Sequence, residues 1–425
     1  MEKNILQQAT PAQLEKAAAD NHIALFGANA IAGGGEVVRD GDIVYTYAGT
    51  TQHGMLAFPV ATEAYMAIAL NRMMDYYRTH IPNGVGCWSL DPAQPPSLGV
   101  QLLARGFQPG WQPCWMALDL EMIDDSWNIP EGLEVQAENH TDLSIVRGLP
   151  NAGINSALSW QLLQHSPEQA QQFVARLHGN IVGHSCVLLS TGEYGVAGIY
   201  NVGVLPKQQN QGIGKAVVIA ACRYAKEKGY RYAVLNATGK RMYEQIGFRY
   251  ISHGLTWWLM GRRYITHPPS PNMVAIAEAV GYGNIAALEQ YKAILDTATI
   301  NEPLCNRMTL MQLAVHCKQP ASGEWLVQHG AVYSVLDAWD MGWQQRAAML
   351  LYQQPALVNE RYDHFQYTLL HIAADRNDIE LARLALTAHP DLTITDNIYK
   401  GTAQGWAEHL QRREIAELIS SYTTQ

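Results

Sequence analysis

The 425-residue sequence is short of several things, and each shortage excludes a class of protein. No apolar run approaches the ~20 residues that a bilayer-spanning helix needs, so no membrane partner is expected. Residues 1–21 carry Glu2, Glu15 and Asp20 and hold no apolar core of the secretory kind, which leads us to expect a soluble, cytoplasmic protein. The six cysteines, at 87, 114, 186, 222, 305 and 317, form no Cys-x-x-Cys pair and have no histidines at ligand spacing. That pattern excludes a disulfide scaffold and a zinc site, so no metal is expected, and it fits buried thiols in a reducing compartment. Glycine (35) and proline (19) stay at ordinary levels, which leaves no case for long disordered tracts.

Positive charge is scarce except in one region. Residues 1–132 hold six basic side chains against fourteen acidic ones, and residues 263–425 hold eleven against seventeen. Residues 133–262 reverse the balance, with twelve against seven. A net charge of −9 argues against a general nucleic-acid partner, while the basic middle third suits a phosphorylated small molecule.

That third contains the stretch Val202-Gly203-Val204-Leu205-Pro206, then Lys207 to Gln211, then Gly212-Ile213-Gly214-Lys215. It reads as a buried strand that breaks at Pro206, crosses a polar loop and enters a helix over about 212–227. The apolar stripe of that helix is Val217, Val218, Ala221, Tyr224 and Ala225. The first amides of a helix have no intrahelical partner and carry the positive end of the dipole, and glycines there let an anion reach the backbone. The loop therefore reads as an anion cradle.

Gln209-Asn210-Gln211-Gly212-Ile213-Gly214 resembles the acyl-CoA loop of the Gcn5-related N-acetyltransferases (GNAT). Tyr232 to Ala237 is similar to that family's next strand, and Met242 to Phe248 to its closing helix and Gly-Phe turn. The resemblance covers about residues 131–262 and implies an α/β mixed sheet, with acetyl-CoA as acyl donor. It implies that Val204, Gln209, Asn210, Gln211, Gly212, Ile213, Gly214, Lys215 and Asn236 bind the donor. A backbone amide of Val202 or Gly203 would polarise the thioester carbonyl, and Tyr243 would be the general acid that protonates the departing thiolate. Asn236, in an otherwise apolar strand, needs a hydrogen-bond partner, for which a pantetheine amide or Tyr243 would suit. The general base stays open among Glu193, His184, Tyr200 and a water chain.

Residues 1–130 resemble a degenerate copy of the same domain. Leu102 to Phe107 followed by Trp115 to Leu118 parallels Met242 to Phe248 followed by Thr256 to Leu259, and Cys87 to Leu90 would match the strand at Val234 to Ala237. Where the cradle would lie, Ala61 to Ala69 has no glycine pair, so this copy is expected not to bind acetyl-CoA. The acetyltransferase domain is expected over 131–264, with strands near Leu133 to Val135, Gln171 to Leu177, Ile181 to Leu189 and Val196 to Val204. Helical segments are expected near 142–147 and 155–164.

A stiff proline-rich linker is expected over 265–272, from His267-Pro268-Pro269-Ser270-Pro271. Beyond it, over 273–425, Thr368-Leu369-Leu370-His371 and Thr402 stand 34 residues apart and resemble ankyrin repeats. Met308 to Ala314 with Val327 to Ala331 gives another repeat, and Val274 to Leu295 and Trp339 to Val358 are further candidates. An all-α ankyrin solenoid is expected, with His371 tying a turn rather than reacting.

Three functions fit these readings. One is acetyl transfer to a primary amine of a small or peptide-like acceptor, with the degenerate half walling the acceptor cleft. Another is acetylation of a protein lysine or N-terminus presented through an ankyrin-bound partner. The third is a CoA-sensing scaffold without transfer.

Overall fold

The computed structural model describes residues 4–124, 129–237 and 239–423, which form two compact units, 1–269 and 270–425. The first unit opens with a 22-residue helix, α1 (Pro11–Ala32). Thr10 caps it in a reciprocal box with Gln13, and Pro11 sits where its missing N–H is not needed. The strands β1 (Glu36–Asp40), β2 (Ile43–Tyr47) and β3 (His53–Ala57) follow, then α2 (Glu63–Thr79), β4 (Gly84–Leu90), α3 (Leu98–Ala104), β5 (Gln108–Pro109) and β6 (Cys114–Asp119). The second run is β7 (Leu133–Ala137), α4 (Trp160–His165), β8 (Ala170–Leu177), β9 (Asn180–Leu189), β10 (Ala197–Val204), α5 (Ile213–Glu227), β11 (Tyr232–Asn236), α6 (Lys240–Glu244) and β12 (Arg249–Met260). Its β-hairpin, strand and long helix lie within a residue or so of their predicted positions. The segment predicted helical over 155–164 becomes a helix only from Trp160, where Ser159 supplies the cap.

Eleven of the strands run side by side in the order β1-β2-β3-β4-β12-β6-β11-β10-β9-β8-β7, with β5 on β12. Two neighbouring pairs are parallel, β3 with β4 and β10 with β11, and each is joined through a helix, α2 or α5. The last strand of each run crosses to the other. β6 lies against β11, from Tyr232↔Asp119 to Asn236↔Trp115, while β12 lies against β4 from Gly254↔Leu90 to Met260↔Gly84. The first thirteen decades of sequence and the next thirteen therefore share one sheet.

Alternation along the central strands builds two cores. Met116 and Leu118 of β6, with Ala233 and Leu235 of β11, face the α5 stripe of Val218, Ala221, Cys222 and Ala225. Their neighbours Trp115, Ala117 and Val234 face the other way, onto Ala17 and Ala18 of α1. The sheet is thus sandwiched between α5 and α1, and α1 lies over the seam where the two runs exchange strands.

After β12 the chain forms α7 (Arg262–Thr266), so the extended stretch before the second unit is only 267–270. Pro271 is already the first residue of α8, a position that tolerates its missing N–H. The second unit consists of α8 (Pro271–Tyr282), α9 (Ile285–Tyr291), α10 (Thr297–Asn301), α11 (Leu310–His316), α12 (Pro320–Gln328), α13 (Val335–Asp340), α14 (Gln344–Gln353), α15 (Leu369–Arg376), α16 (Ile379–Thr387), α17 (Ala403–His409) and α18 (Arg413–Thr423). Hydroxyl residues Ser270, Thr309, Ser334, Thr368 and Thr402 cap α8, α11, α13, α15 and α17. His371 bonds Thr368 through Nδ1 (2.8 Å to the hydroxyl) and reaches the Gly401 carbonyl through Nε2 at 3.1 Å. One imidazole therefore ties the start of α15 to the turn before α17.

Candidate active site

Strand β10 leads into a single turn, Pro206–Gln208, after which Asn210 (φ +61°) and Gly212 (φ +85°) bend the chain through left-handed conformations. Both residue types tolerate that region. Gly212 is the N-cap of α5, so no side chain bonds the first amides, and the first turn holds no acidic residue. Those amides stay available to an anion. Gln209 folds the loop back, donating from Nε2 to the Val204 carbonyl at 3.4 Å. Gln211 is exposed, Lys215 is half-buried, and Ile213, 1% exposed, anchors the start of the helix. Gly214 has a packing role beside the one expected for it, because a Cβ there would lie 2.8 Å from Sδ of Met242 on α6.

Upstream, β10 and β11 pair only from Ala197↔Ala233 to Ile199↔Leu235, although β10 continues to Val204. A slot opens between them beyond Ile199. On its other edge β10 pairs Tyr200↔Cys186 and then Gly203↔His184, so Asn201 and Val202 both oppose Ser185. Such a bulge takes a residue out of the ladder and turns the strand. Asn201 has φ +52°, and its Oδ1 accepts from the amides of Ala157 (2.8 Å) and Leu158 (3.1 Å). Asn151 donates to the Val202 carbonyl at 2.8 Å, and His184 Nε2 donates to the Pro150 carbonyl at 2.8 Å. At Gly203 a Cβ would meet that same carbonyl. The chain over 150–158 is therefore clamped across the bulge, with Val202 and Gly203 at the mouth of the slot.

The slot opens on a cavity of about 570 Å³ lined by Asn201, Val202, Asn236 and Tyr243 on one side, and by Trp88 and Trp111 of the first run on the other. Tyr243 is 8% exposed, and burial pushes its phenol up to about 12. Its hydroxyl makes no hydrogen bond among the described residues, so it stays protonated and free to donate. Asn236 finds a different partner from those expected. Its Oδ1 accepts from the Cys114 amide at 3.0 Å, across the exchanged strand β6, and its Nδ2 has no partner among the described residues.

Of the three candidate bases, Glu193 lies in an exposed turn away from the cavity. His184 is held by Pro150, and burial lowers its pKa. Tyr200 reaches the cavity, but its hydroxyl donates to Asn21 Oδ1 at 2.6 Å. Sequence reasoning missed α1 altogether, and with it His22, Phe26 and Asn29, which line the same cavity. The available signal was a polar Asn21-His22 pair set in an alanine-rich stretch with no other use for it.

Residues 146–248 match the family described as acetyltransferase (GNAT) family. Similar solved structures include a GCN5-related N-acetyltransferase from Kribbella flavida, 16% identical, covering 55% of this chain and 93% of its own (TM-score 0.45). Another from Sphaerobacter thermophilus is 18% identical, covering 59% and 94% (TM-score 0.39). A tandem GNAT protein from the clavulanic acid biosynthesis pathway is 14% identical, covering 57% and 94% (TM-score 0.40). No curated protein matches the sequence.

Proposed function

From the GNAT acetyltransferase domain at residues 146–248, we propose that this protein transfers an acetyl group from acetyl-CoA to a primary amine of a small acceptor. The observation that carries the reading is the continuity of uncapped helix, bulged strand and cavity. The first amides of α5, with Gln209 to Lys215 around them, receive the pyrophosphate. The pantetheine arm lies in the slot beyond Ile199, beside Val204 and Asn236, whose free Nδ2 suits an amide carbonyl. A backbone amide of Val202 or Gly203, beside the bulge, polarises the thioester carbonyl. The amine attacks that carbon, the carbon–sulfur bond breaks, and Tyr243 gives its proton to the thiolate. On this reading residues 1–130 and 131–264 are tandem copies of one fold, and only the second keeps the donor site.

We read the second unit as ankyrin-like, on the 34-residue spacing of Thr368 and Thr402 and the His371 tie, and assign it to partner recognition. The cavity is lined with aromatic side chains, which favours a small acceptor over a protein lysine. Calorimetry with acetyl-CoA and thiol release with amines test the reading in the full chain. Tyr243→Phe is expected to keep donor affinity and to lose about 100-fold in turnover. Wild-type turnover in that variant would remove Tyr243 from the mechanism, and donor binding without transfer to any amine would leave the sensing role instead.

A further inference from the structure

Among the described residues, the cavity lining contains no aspartate, glutamate, lysine or arginine. Phe26, Met55, Trp88 and Trp111 of the first run and Trp258, on the strand that crosses to β4, give it large apolar side chains, beside Ile154, Ile199 and Val202 of the donor-binding run. Within it the most unusual group is His22, a 4%-exposed imidazole stacked on Trp88 with ring centroids 5.5 Å apart. Its Nδ1 lies 3.1 Å from both the Ala18 carbonyl and the Tyr200 hydroxyl.

The surrounding hydrogen bonds fix its tautomer. Asn21 Nδ2 faces the oxygens of Leu188, Ser190 and Val196, so Asn21 Oδ1 must be the atom that receives the Tyr200 proton. The Tyr200 oxygen and the Ala18 carbonyl are then both acceptors, and His22 Nδ1 must carry the hydrogen. Its Nε2 is left with a lone pair and has no hydrogen bond among the described residues. A neutral, oriented base thus borders the same cavity as Tyr243 and Val202.

We propose that the acceptor is a primary amine with an aromatic or apolar body and no charge beyond its reacting nitrogen, and that His22 Nε2 takes the proton this nitrogen loses. The proposal rests on the transferase reading and extends it to the other half of the sheet. Indole faces accept an alkylammonium without a carboxylate, and burial among them favours the neutral, nucleophilic amine. A second ammonium, or the carboxylate of an amino acid, would be buried with no counter-charge. In the step itself the nitrogen bonds the thioester carbon and its surplus proton passes to His22 Nε2. The carbon–sulfur bond breaks, sulfur takes the Tyr243 proton, and both side chains recover by exchange with water. Burial holds the His22 pKa down to about 4, which suits a nitrogen that turns strongly acidic only once it has joined the carbonyl carbon.

The test uses the full chain with acetyl-CoA and three acceptors: 2-phenylethylamine, spermidine and a lysine peptide with a blocked N-terminus. We expect kcat/KM for 2-phenylethylamine to exceed the other two by about 100-fold. His22→Phe keeps the ring and the stacking, and should lower kcat about 100-fold with acetyl-CoA affinity unchanged. Trp111→Ala alters a half-exposed side chain and should raise the KM for the aromatic amine alone, about tenfold. Spermidine or peptide turnover equal to that of the aromatic amine would overturn the proposal while leaving the transferase reading intact, and so would wild-type turnover in His22→Phe. If acetyl-CoA binds and no amine is acetylated, the transferase reading fails. Saturable quenching of tryptophan fluorescence by 2-phenylethylamine, weakened in Trp111→Ala, would then still support the aromatic cavity, and its absence would overturn it.

Discussion

The units β3–α2–β4 and β10–α5–β11 share a topology and part company at the turn that enters the helix. Before α2 stands Thr62, whose Oγ1 accepts from the Tyr65 amide at 3.4 Å, and Glu63 occupies the first turn. The hydroxyl uses one amide and the carboxylate offsets the dipole, so this helix entry is disfavoured for a phosphate. Before α5 stands Gly212, with neither. The strands differ in the same sense. β3 and β4 stay paired over five consecutive positions from His53↔Gly84 to Ala57↔Trp88, and the Phe58 amide adds a further bond to Trp88 at 2.8 Å. β10 and β11 separate after three pairs. On the proposed function a run without cradle or slot takes no part in donor binding, while its residues Met55 and Trp88 line the cavity.

The largest expected effect reverses this difference at the helix entry. Placing carboxylates at the cradle with the double variant Gly212→Asp, Gly214→Asp should weaken acetyl-CoA binding more than 100-fold in calorimetry, because like charges would meet at the pyrophosphate. Unchanged affinity would move the donor site elsewhere. The bulge comes next. Asn201→Ala puts a residue without asparagine's tolerance of the left-handed region at φ +52° and strands the amides of Ala157 and Leu158, at a cost of about 4 kcal/mol in denaturant unfolding. Asn201→Gly should recover the backbone part of that loss. Equal stability of wild type and Asn201→Ala would mean the clamp over 150–158 does not depend on the bulge.

The second half of this contrast was legible in the sequence, and so were the helix near Ala61 to Ala69 and the strands at Cys87 to Leu90 and Trp115 to Leu118 of the first half, while α1 and the strand exchange were not. Strands β8 and β9 flank the turn residues His178-Gly179-Asn180, α5 carries an apolar stripe, and Tyr243 falls beside the cavity. Helix α1 escaped notice because Asn21 and His22 interrupt its apolar pattern, and those are residues the cavity and its hydrogen bonds require. The exchange of β6 and β12 escaped for another reason. Local alternation says which face of the sheet each side chain of Trp115 to Leu118 takes, but it does not say which strand lies alongside. Asn236 illustrates the consequence, since its partner Cys114 lies 122 residues away on the exchanged strand.

Helix α1 also gives the first run its own pH signature. His22 binds a proton near 6.5 when unfolded and near 4 when folded, because burial penalises the cation. Below pH 6.5 the unfolded chain therefore holds more protons than the native one, and stability falls as pH drops through 6.5 toward 4. The loss amounts to about 3 kcal/mol by the pKa difference. Unfolding free energies of wild type and His22→Phe, measured between pH 7 and 4.5, should diverge with that slope, and parallel curves would place the imidazole in contact with water.

The smallest expected effect is the control that sharpens the comparison. Thr62→Ala removes the cap of α2 and should cost about 1 kcal/mol of stability. It frees an amide at the helix entry that corresponds to the cradle of α5, yet Glu63 remains and β3 stays zipped to β4. Acetyl-CoA should accordingly still bind at a stoichiometry of about one, since an amide without a slot beside it does not make a donor site. A second binding event in Thr62→Ala would show that the hydroxyl cap alone separates the two runs, and that the closed strands of the first do not matter.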